Sequence, residues 1–262
     1  MTNSNLLMAI DVGNTQTQIG LFDQEILLEN WAISSSVYRT TDELGILIQE
    51  LFQSKKLDIK NINKIIISSV VPQLISILEE MAIKYFKTNP LFVRPGIKTG
   101  ITIKYENPAE VGADRIVNAV AGFHLYKGPL IIIDYGTATT FDAISSKGEY
   151  LGGAIAPGFG ITLEALTERT AKLPRVEPKM PKNVIGKNTT NSIQAGMFFG
   201  YRGLVKEILE KMKKELGTQT KVIVTGGYSS IFSEKEKFYD EKNTHLTLIG
   251  LRLIAEINET CN

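Results

Sequence analysis

The sequence predicts an α/β fold of two related lobes, each a mixed sheet flanked by helices, with a cleft between them. One observation is length, because 262 residues are enough for two lobes of roughly 120 residues each. The other is repetition, because three strands followed by helix and strand occur twice along the chain. Nucleotides commonly bind in such a cleft, so a nucleotide-binding protein is expected.

The first lobe begins with an apolar run at 6–10 that reads as a buried strand. Two more strands are predicted at 16–22 and 26–33, because the polar connection 23–25 between them is typical of a hairpin. The rest of this lobe is expected to comprise a helix over 41–52, a strand over 64–71, a helix over 73–86 and a strand over 91–93.

The second half repeats this order from Leu130. Its predicted elements are strands at 130–133, 139–144, 150–155 and 221–224, and helices at 160–171 and 190–216. The proline-punctuated segment 172–182 is expected to be a loop of this lobe, with a linker as the alternative. The lobes are therefore predicted at 1–122 and 123–262, and a C-terminal helix at about 247–259 can dock on either of them.

Charge and cysteine content exclude several classes of function. A net charge of +1 provides no field that would favour nucleic acid or an anionic membrane as a partner. No apolar stretch is long enough for a transmembrane helix, and the N-terminal residues lack the pattern of a signal peptide. The single cysteine, Cys261, supports neither an internal disulfide nor a zinc cluster. We expect a cytoplasmic protein with a small-molecule partner.

Two turns follow the first strand of each half, at 11–15 (Asp-Val-Gly-Asn-Thr) and 134–138 (Asp-Tyr-Gly-Thr-Ala). Glycine lets the backbone approach a ligand, and hydroxyl and amide groups can hydrogen-bond phosphate oxygens. The carboxylate can hold the cation that accompanies a polyphosphate. Such a turn is often only structural, but its occurrence in both halves favours a shared role in holding one nucleotide.

A third motif, Gly-Ala-Asp-Arg at 112–115, precedes an apolar helix predicted at 116–123. Asp114 could accept a proton from a substrate hydroxyl, while the forked guanidinium of Arg115 could bind an anionic group. The spacing fits equally well a plain helix start, with Asp114 stabilised by the helix dipole and Arg115 in a surface ion pair.

The phosphate turns contain no lysine, and the chain has neither a P-loop motif nor a dinucleotide-binding motif. A metal ion would then have to neutralise the phosphate charge, and Asp11 is the natural carboxylate near magnesium.

Several motifs together resemble type III pantothenate kinases over about residues 7–258. They occur in the family's order at 11–18, 112–115, 134–140, 152–158, 186–189 and 225–227. The resemblance implies the superfold of sugar kinases, Hsp70 and actin, with duplicated actin-like lobes. It implies that ATP phosphorylates the 4'-hydroxyl of pantothenate in the first step of coenzyme A biosynthesis. Gln16 and Ile249 depart from the family's usual pattern, but the motif acids, Arg115 and the motif glycines are intact.

The resemblance also implies roles for individual residues. The ATP phosphate loop would comprise Asp11 (near Mg²⁺), Val12, Gly13, Asn14, Thr15, Gln16, Thr17 and Gln18, with Thr137 as a further ATP contact. Asp114 matches the catalytic base, and pantothenate contacts would come from Tyr105, Gly112, Ala113, Asp114, Arg115 and Thr189. Asp134 matches the ligand of a monovalent cation, K⁺ or NH₄⁺, and family members are homodimers.

Two other functions remain open at this point. One is another small-molecule kinase of the same superfold. The other is a nucleotide-binding accessory factor in transcription, because some relatives of this family are known in that role.

Overall fold

The computed structural model describes residues 6–233 and 238–259, so Cys261 lies outside the described residues. The chain forms two compact units. The first comprises residues 6–100, 107–121 and 246–259 of the described chain, and the second comprises residues 101–106 and 122–245 apart from the gap.

The first unit is built on a five-stranded sheet with the strand order β3-β2-β1-β4-β5. Its elements are β1 (Leu6–Val12), β2 (Gln16–Asp23), β3 (Ile26–Ser34), α1 (Thr41–Ser54), β4 (Ile62–Ser69), α2 (Ile75–Phe86), β5 (Leu91–Phe92) and the N-terminal part of α3 (Ala113–Tyr126). A C-terminal helix, Leu246–Glu259, also belongs to this unit and is labelled α7 in chain order. β1 runs antiparallel to β2 and parallel to β4.

The second unit holds a six-stranded sheet with the order β11-β10-β7-β8-β9-β6. Its elements are β6 (Thr102–Ile103), β7 (Leu130–Tyr135), β8 (Ala138–Ile144), β9 (Glu149–Pro157), α4 (Phe159–Glu168), α5 (Thr189–Leu216), β10 (Lys221–Thr225), α6 (Ser229–Ser233) and β11 (Glu241–Lys242). β7 runs antiparallel to β8 and parallel to β10. Without β6, the sheet has the same topology as that of the first unit, which confirms the predicted duplicated α/β lobes.

Each sheet has its own core, and local sequence explains the start of its helices. In the first unit the apolar run of β1 is buried on both faces, because the strand is central in the sheet.

α1 starts at a capping box in which Thr40 and Glu43 satisfy each other's backbone N–H groups. In the second unit Asn188 caps α5, accepting a hydrogen bond from the Asn191 N–H at 2.8 Å.

One segment lies outside the lobe predicted for it, and the last helix takes one of the two places that the sequence left open. Residues 101–106 belong to the second unit, because β6 pairs with β9 in parallel. The last helix belongs to the first unit, where Leu248 packs beside Gly20 of β2. α3 also begins earlier than predicted, at Ala113, because the carbonyl of Gly112 already accepts the first helical hydrogen bond.

We expect Gly250→Ala to lower the free energy of unfolding by about 2–4 kcal/mol. Gly250 lies where α7 crosses α3, and an alanine Cβ there would collide with the backbone carbonyl oxygen of Val117. Gly196→Ala is the matched control, because Gly196 lies in α5 with open space around it. That change should stabilise the protein by about 0.5–1 kcal/mol. Urea unfolding of both variants measures this, and equal effects would contradict the close packing of α7.

Candidate active site

Asp11 is the penultimate residue of β1, beside Ser68 on the parallel strand β4. The fully buried Ser68 hydroxyl donates a hydrogen bond to Asp11 Oδ1. Ser68 lies outside the motifs that the sequence indicates. A signal was present, because β4 is an apolar strand that ends in two serines, and the carboxyl ends of parallel neighbours lie at one edge of a sheet.

The Asp11 carboxyl lies in an unfavourable place for a negative charge. Burial raises its pKa to about 7, and the nearby Asp114 carboxylate adds to the increase, whereas the Ser68 hydrogen bond opposes it. Part of the residue remains accessible to solvent. The structure therefore brings Asp11 and Asp114 together in the first unit, at a place where a cation would offset their repulsion.

Asp114 lies in the first turn of α3, where its Oδ1 accepts a hydrogen bond from the Arg115 backbone N–H at 2.9 Å. Burial raises its pKa, with this hydrogen bond and the Arg115 charge opposing the increase. A Cβ at Gly112 would lie 2.6 Å from Asp114 Oδ1, so glycine leaves space for the carboxylate. Ala113 between them is half-buried.

Arg115 is only 6% exposed, so the alternative interpretation that it forms a surface ion pair is wrong. A guanidinium is held inside the fold directly after the candidate base, where it can act on a charged group only at close range.

The loop at 11–18 offers mainly backbone and three exposed side chains to a ligand. The Gly13 N–H donates a hydrogen bond to the Gln16 carbonyl at 3.1 Å, which closes the turn. The side chains of Asn14, Thr15 and Gln16 are exposed. The Val12 side chain belongs to the core, and the buried Thr17 hydroxyl is hydrogen-bonded to that of Ser35 at 2.9 Å.

For Val12 and Thr17, only backbone groups would be available for the predicted ATP contact. Side chains alternate between the two faces of a strand. At these two positions the side chain points into the core. Gln18 is half-buried and lies opposite Asp11 in the hairpin.

Asp134 occupies the same place in the second sheet as Asp11 in the first. It is the penultimate residue of β7 and lies beside Thr225 on the parallel strand β10. Gly226 follows with φ +88°, and a Cβ there would collide with Asp134 Oδ1 and lie 2.6 Å from the Tyr135 N. Only glycine fits this close approach, which leaves a cradle of backbone around the carboxylate.

Thr137 is exposed on the turn that follows Asp134. The turn is supported by Gly158 at the start of α4, whose N–H donates to the Thr137 carbonyl at 3.1 Å. A Cβ on Gly158 would lie 2.6 Å from the Gly136 carbonyl and closer still to that of Thr137. The turn is thus fixed by backbone contacts, and Thr137 on it is exposed.

The two predicted pantothenate contacts of the second unit differ in their surroundings. Tyr105 is half-buried, and its ring packs on Gly152 of β9. A Cβ added to Gly152 would lie 3.3 Å from Tyr105 Cε2. Thr189 is the exposed first residue of α5, and within the described chain its side chain makes no hydrogen bond. Thr189 is therefore accessible to a ligand but is not held in place by side-chain contacts.

Within the described ranges, no three His, Cys, Asp or Glu side chains cluster in a way that could hold a metal ion. A divalent cation at Asp11 would therefore take its remaining ligands from phosphate oxygens and water, as magnesium does in kinases. The donor set of one carboxylate and one hydroxyl fits that arrangement. At Asp134 the structure offers one carboxylate, an oxygen ligand of the kind that a hard cation takes. No helix among the described residues is long and apolar enough to cross a membrane.

The model of the type III pantothenate kinase family matches residues 7–211. The chain belongs to this family. It is 53% identical over 253 residues to a type III pantothenate kinase from Anaeromyxobacter sp. (strain Fw109-5), which covers 97% of this chain and 100% of that protein. The resemblance of the ordered motifs to this family is thereby confirmed over nearly the full length.

Solved structures show the same fold at low identity. A Baf family transcriptional activator from Campylobacter jejuni aligns with a TM-score of 0.60 and 19% identity, over 97% of this chain and 99% of that one. MreB 5 of Spiroplasma citri, bound to AMPPNP, aligns with a TM-score of 0.57 and 12% identity, over 98% of each chain. At such identities the likeness shows the fold alone, and it agrees with duplicated actin-like lobes in this pantothenate kinase family member.

Proposed function

We propose that this protein transfers the γ-phosphoryl group of ATP to the 4'-hydroxyl of pantothenate, the first step of coenzyme A biosynthesis. The observation that carries the proposal is the pairing of Asp114 with Asp11 in a chain of the type III pantothenate kinase family. One carboxylate is suited to a substrate hydroxyl, and the other to a cation that accompanies phosphate.

In the proposed reaction the pantothenate hydroxyl oxygen forms a bond to the γ-phosphorus, and the bond from that phosphorus to the β–γ bridging oxygen breaks. ADP leaves, and the hydroxyl proton passes to Asp114. Such transfers have a loose transition state, so orientation of the hydroxyl contributes more than its early deprotonation. The raised pKa of Asp114 makes it a better late proton acceptor than an exposed aspartate.

The other residues of the α3 start are assigned to binding. Gly112 and Ala113 lie at a helix N-terminus, whose unsatisfied backbone N–H groups favour an anionic or polar ligand. Arg115 would act on the carboxylate of pantothenate through its forked donors. Tyr105 and Thr189 would supply further pantothenate contacts, as the resemblance to the family implies.

Two cations belong to this proposal. Magnesium would be held by Asp11 and would neutralise phosphate charge that no lysine of the loop offsets. A monovalent cation, K⁺ or NH₄⁺, would be held by Asp134 and would add positive charge near Thr137, the proposed ATP contact. A cytoplasmic homodimer is also proposed on the family resemblance, and sedimentation velocity would test the dimer.

The test of the proposed function is an assay that couples ADP formation to added pantothenate, run with potassium, with sodium and with a bulky organic cation. We expect ADP formation that requires pantothenate and is fastest with potassium. A panel of other hydroxyl compounds, sugars included, tests the alternative of a different small-molecule kinase. Stable ATP binding without turnover of pantothenate or of any panel compound would instead favour a nucleotide-dependent accessory factor.

Gly226→Ala should remove most of the stimulation by potassium, with a loss of about tenfold or more in turnover at saturating substrates. A methyl group at this position would displace the Asp134 carboxylate and strain a backbone at φ +88°. Gly227→Ala is the matched control, because it is the next residue in the chain and has open space around it. The measurement is rate against potassium concentration. An unchanged potassium curve for Gly226→Ala would remove Asp134 from the proposed cation site.

A further inference from the structure

The backbone before Tyr105 is fixed to the edge of the second sheet. Thr102 and Ile103 pair in parallel with Glu149 and Tyr150 of β9. The Lys104 N–H then donates to the Tyr150 carbonyl at 2.8 Å. The position of Tyr105 therefore depends on β9, and on the residues that shape this strand near Tyr150.

β9 carries a bulge directly below the Tyr105 ring. Asp142 of β8 pairs with Gly153, and Ile144 pairs with Tyr150, so Leu151 is the extra residue. In a regular strand, residues 150 and 153 would face opposite sides of the sheet. The extra residue instead brings Tyr150 to the face of Asp142, as bulges commonly re-aim side chains.

This change of face builds a buried hydrogen-bonded support. The Tyr150 hydroxyl donates to Asp142 Oδ1 at 2.8 Å, and the Thr140 hydroxyl donates to Asp142 Oδ2 at 3.1 Å. Tyr150 and Asp142 are fully buried. Burying a carboxylate is costly unless it is well hydrogen-bonded, and nothing in the proposed phosphoryl transfer uses this one.

The support contacts Tyr105 in two ways. Gly152, inside the bulge, has φ +117°, and its missing Cβ would lie 3.3 Å from Tyr105 Cε2 and 3.4 Å from Cδ2. The Tyr150 ring lies beside the Tyr105 ring, with 6.3 Å between centroids and a tilt of 53°, a geometry that favours an aromatic pair. The glycine sets how closely the ring approaches the sheet, and Tyr150 limits its sideways movement.

We propose that Gly152, Tyr150 and Asp142 are positioning residues that fix the Tyr105 ring for pantothenate recognition. The inference rests on the proposed function, in which Tyr105 contacts pantothenate. The three residues act through Tyr105, so their loss should raise the KM for pantothenate while the KM for ATP and kcat change little.

The first experiment compares the KM for pantothenate in two variants. Gly152→Ala should raise it about tenfold, because the new methyl group strains the bulge and pushes the ring away. Tyr150→Phe should raise it about fivefold, as expected for loss of one buried hydrogen bond. Tyr85→Phe is the matched control, because the exposed Tyr85 hydroxyl donates to Asp42 at 2.5 Å in a similar tyrosine–aspartate pair. It should leave both KM values unchanged.

The second experiment is a double-mutant cycle of Tyr150→Phe and Tyr105→Ala. If Tyr150 acts through the Tyr105 ring, Tyr150→Phe should have no further effect on the KM for pantothenate once that ring is removed. An equal fold-change in both backgrounds would overturn the inference, as would a matching rise in the KM for ATP. If Tyr150→Phe fails to fold, Asp142→Asn takes its place, because the amide has one acceptor oxygen and the Tyr150 and Thr140 hydroxyls can no longer both donate to it.

The activity of the wild-type protein shows whether the proposed function or only the positioning proposal has failed. If it forms no ADP with pantothenate, the proposed function fails, and the positioning of Tyr105 for pantothenate fails with it. If the wild type is active and the cycle shows independent effects, only the positioning proposal is overturned.

Discussion

Replacing Asp11 by asparagine is expected to stabilise the nucleotide-free protein and to abolish phosphoryl transfer. The folded protein raises the pKa of Asp11 from 3.8 to about 7, chiefly by burial, so the ionised carboxylate destabilises the fold at neutral pH. Asparagine keeps an acceptor oxygen for Ser68 and carries no charge. It cannot replace a carboxylate at a magnesium ion, so turnover should fall about 100-fold or more.

The pH dependence of this effect has a defined sign. A carboxyl group whose pKa is raised in the folded state binds more protons there, so stability falls as pH rises from about 4 to about 7 and then levels off. The full shift corresponds to about 4 kcal/mol. Since part of Asp11 is accessible, we expect Asp11→Asn to gain about half of that at pH 8 and nothing near pH 4.

Urea unfolding in EDTA at several pH values measures the stability of this variant. Asp42→Asn is a control of opposite sign, because hydrogen bonds from Lys84 and Tyr85 lower the pKa of Asp42. That control should lose stability above pH 4 and keep full activity. A less stable Asp11→Asn at pH 8 would contradict an unfavourable charge at this position.

Asp114→Asn should reduce kcat by about 100-fold to 10,000-fold, the range for loss of a general base, while ATP binding changes less than about twofold. The amide cannot accept the hydroxyl proton, but it still fits the space left by Gly112. Single-turnover rates and calorimetric ATP titrations measure the two quantities.

Asp42→Asn also serves as the matched control for this second prediction. It removes an acid from the first turn of α1, as the test variant does in α3, and it should leave kcat unchanged. Near-normal turnover by Asp114→Asn, with intact ATP binding, would remove Asp114 from the role of base.

Most of the topology could be predicted because it follows from local patterns. Continuous apolar runs such as 6–10 and 130–133, each ended by an acid and a glycine turn, identify central strands with their phosphate-type turns. The order of elements then reveals the duplication. The resemblance to the family added the proposed pantothenate contacts of Tyr105 and Thr189, which no periodicity could indicate.

Other features could not be predicted because they depend on contacts distant in sequence. β6 has two residues, too few for any period, and its place is decided by pairing with β9. The burial of Arg115 and the hydrogen bond from Ser68 to Asp11 exist only once α3 and β4 have packed. The bulge at Leu151 has a glycine neighbour as its only local signal, and glycines have many other uses.

The C-terminal helix determines the order in which the two units can complete their folding during synthesis. α7 supplies Leu246, Leu248 and Ile254 to the first unit, all at most 1% exposed, although this unit also contains β1, the first strand of the described chain. The usual order in which N-terminal domains finish first is therefore reversed. The second unit can complete its sheet while the first still exposes the surface that α7 will cover. A released chain truncated after residue 245 should accordingly protect the second unit from protease and leave the first open to cleavage.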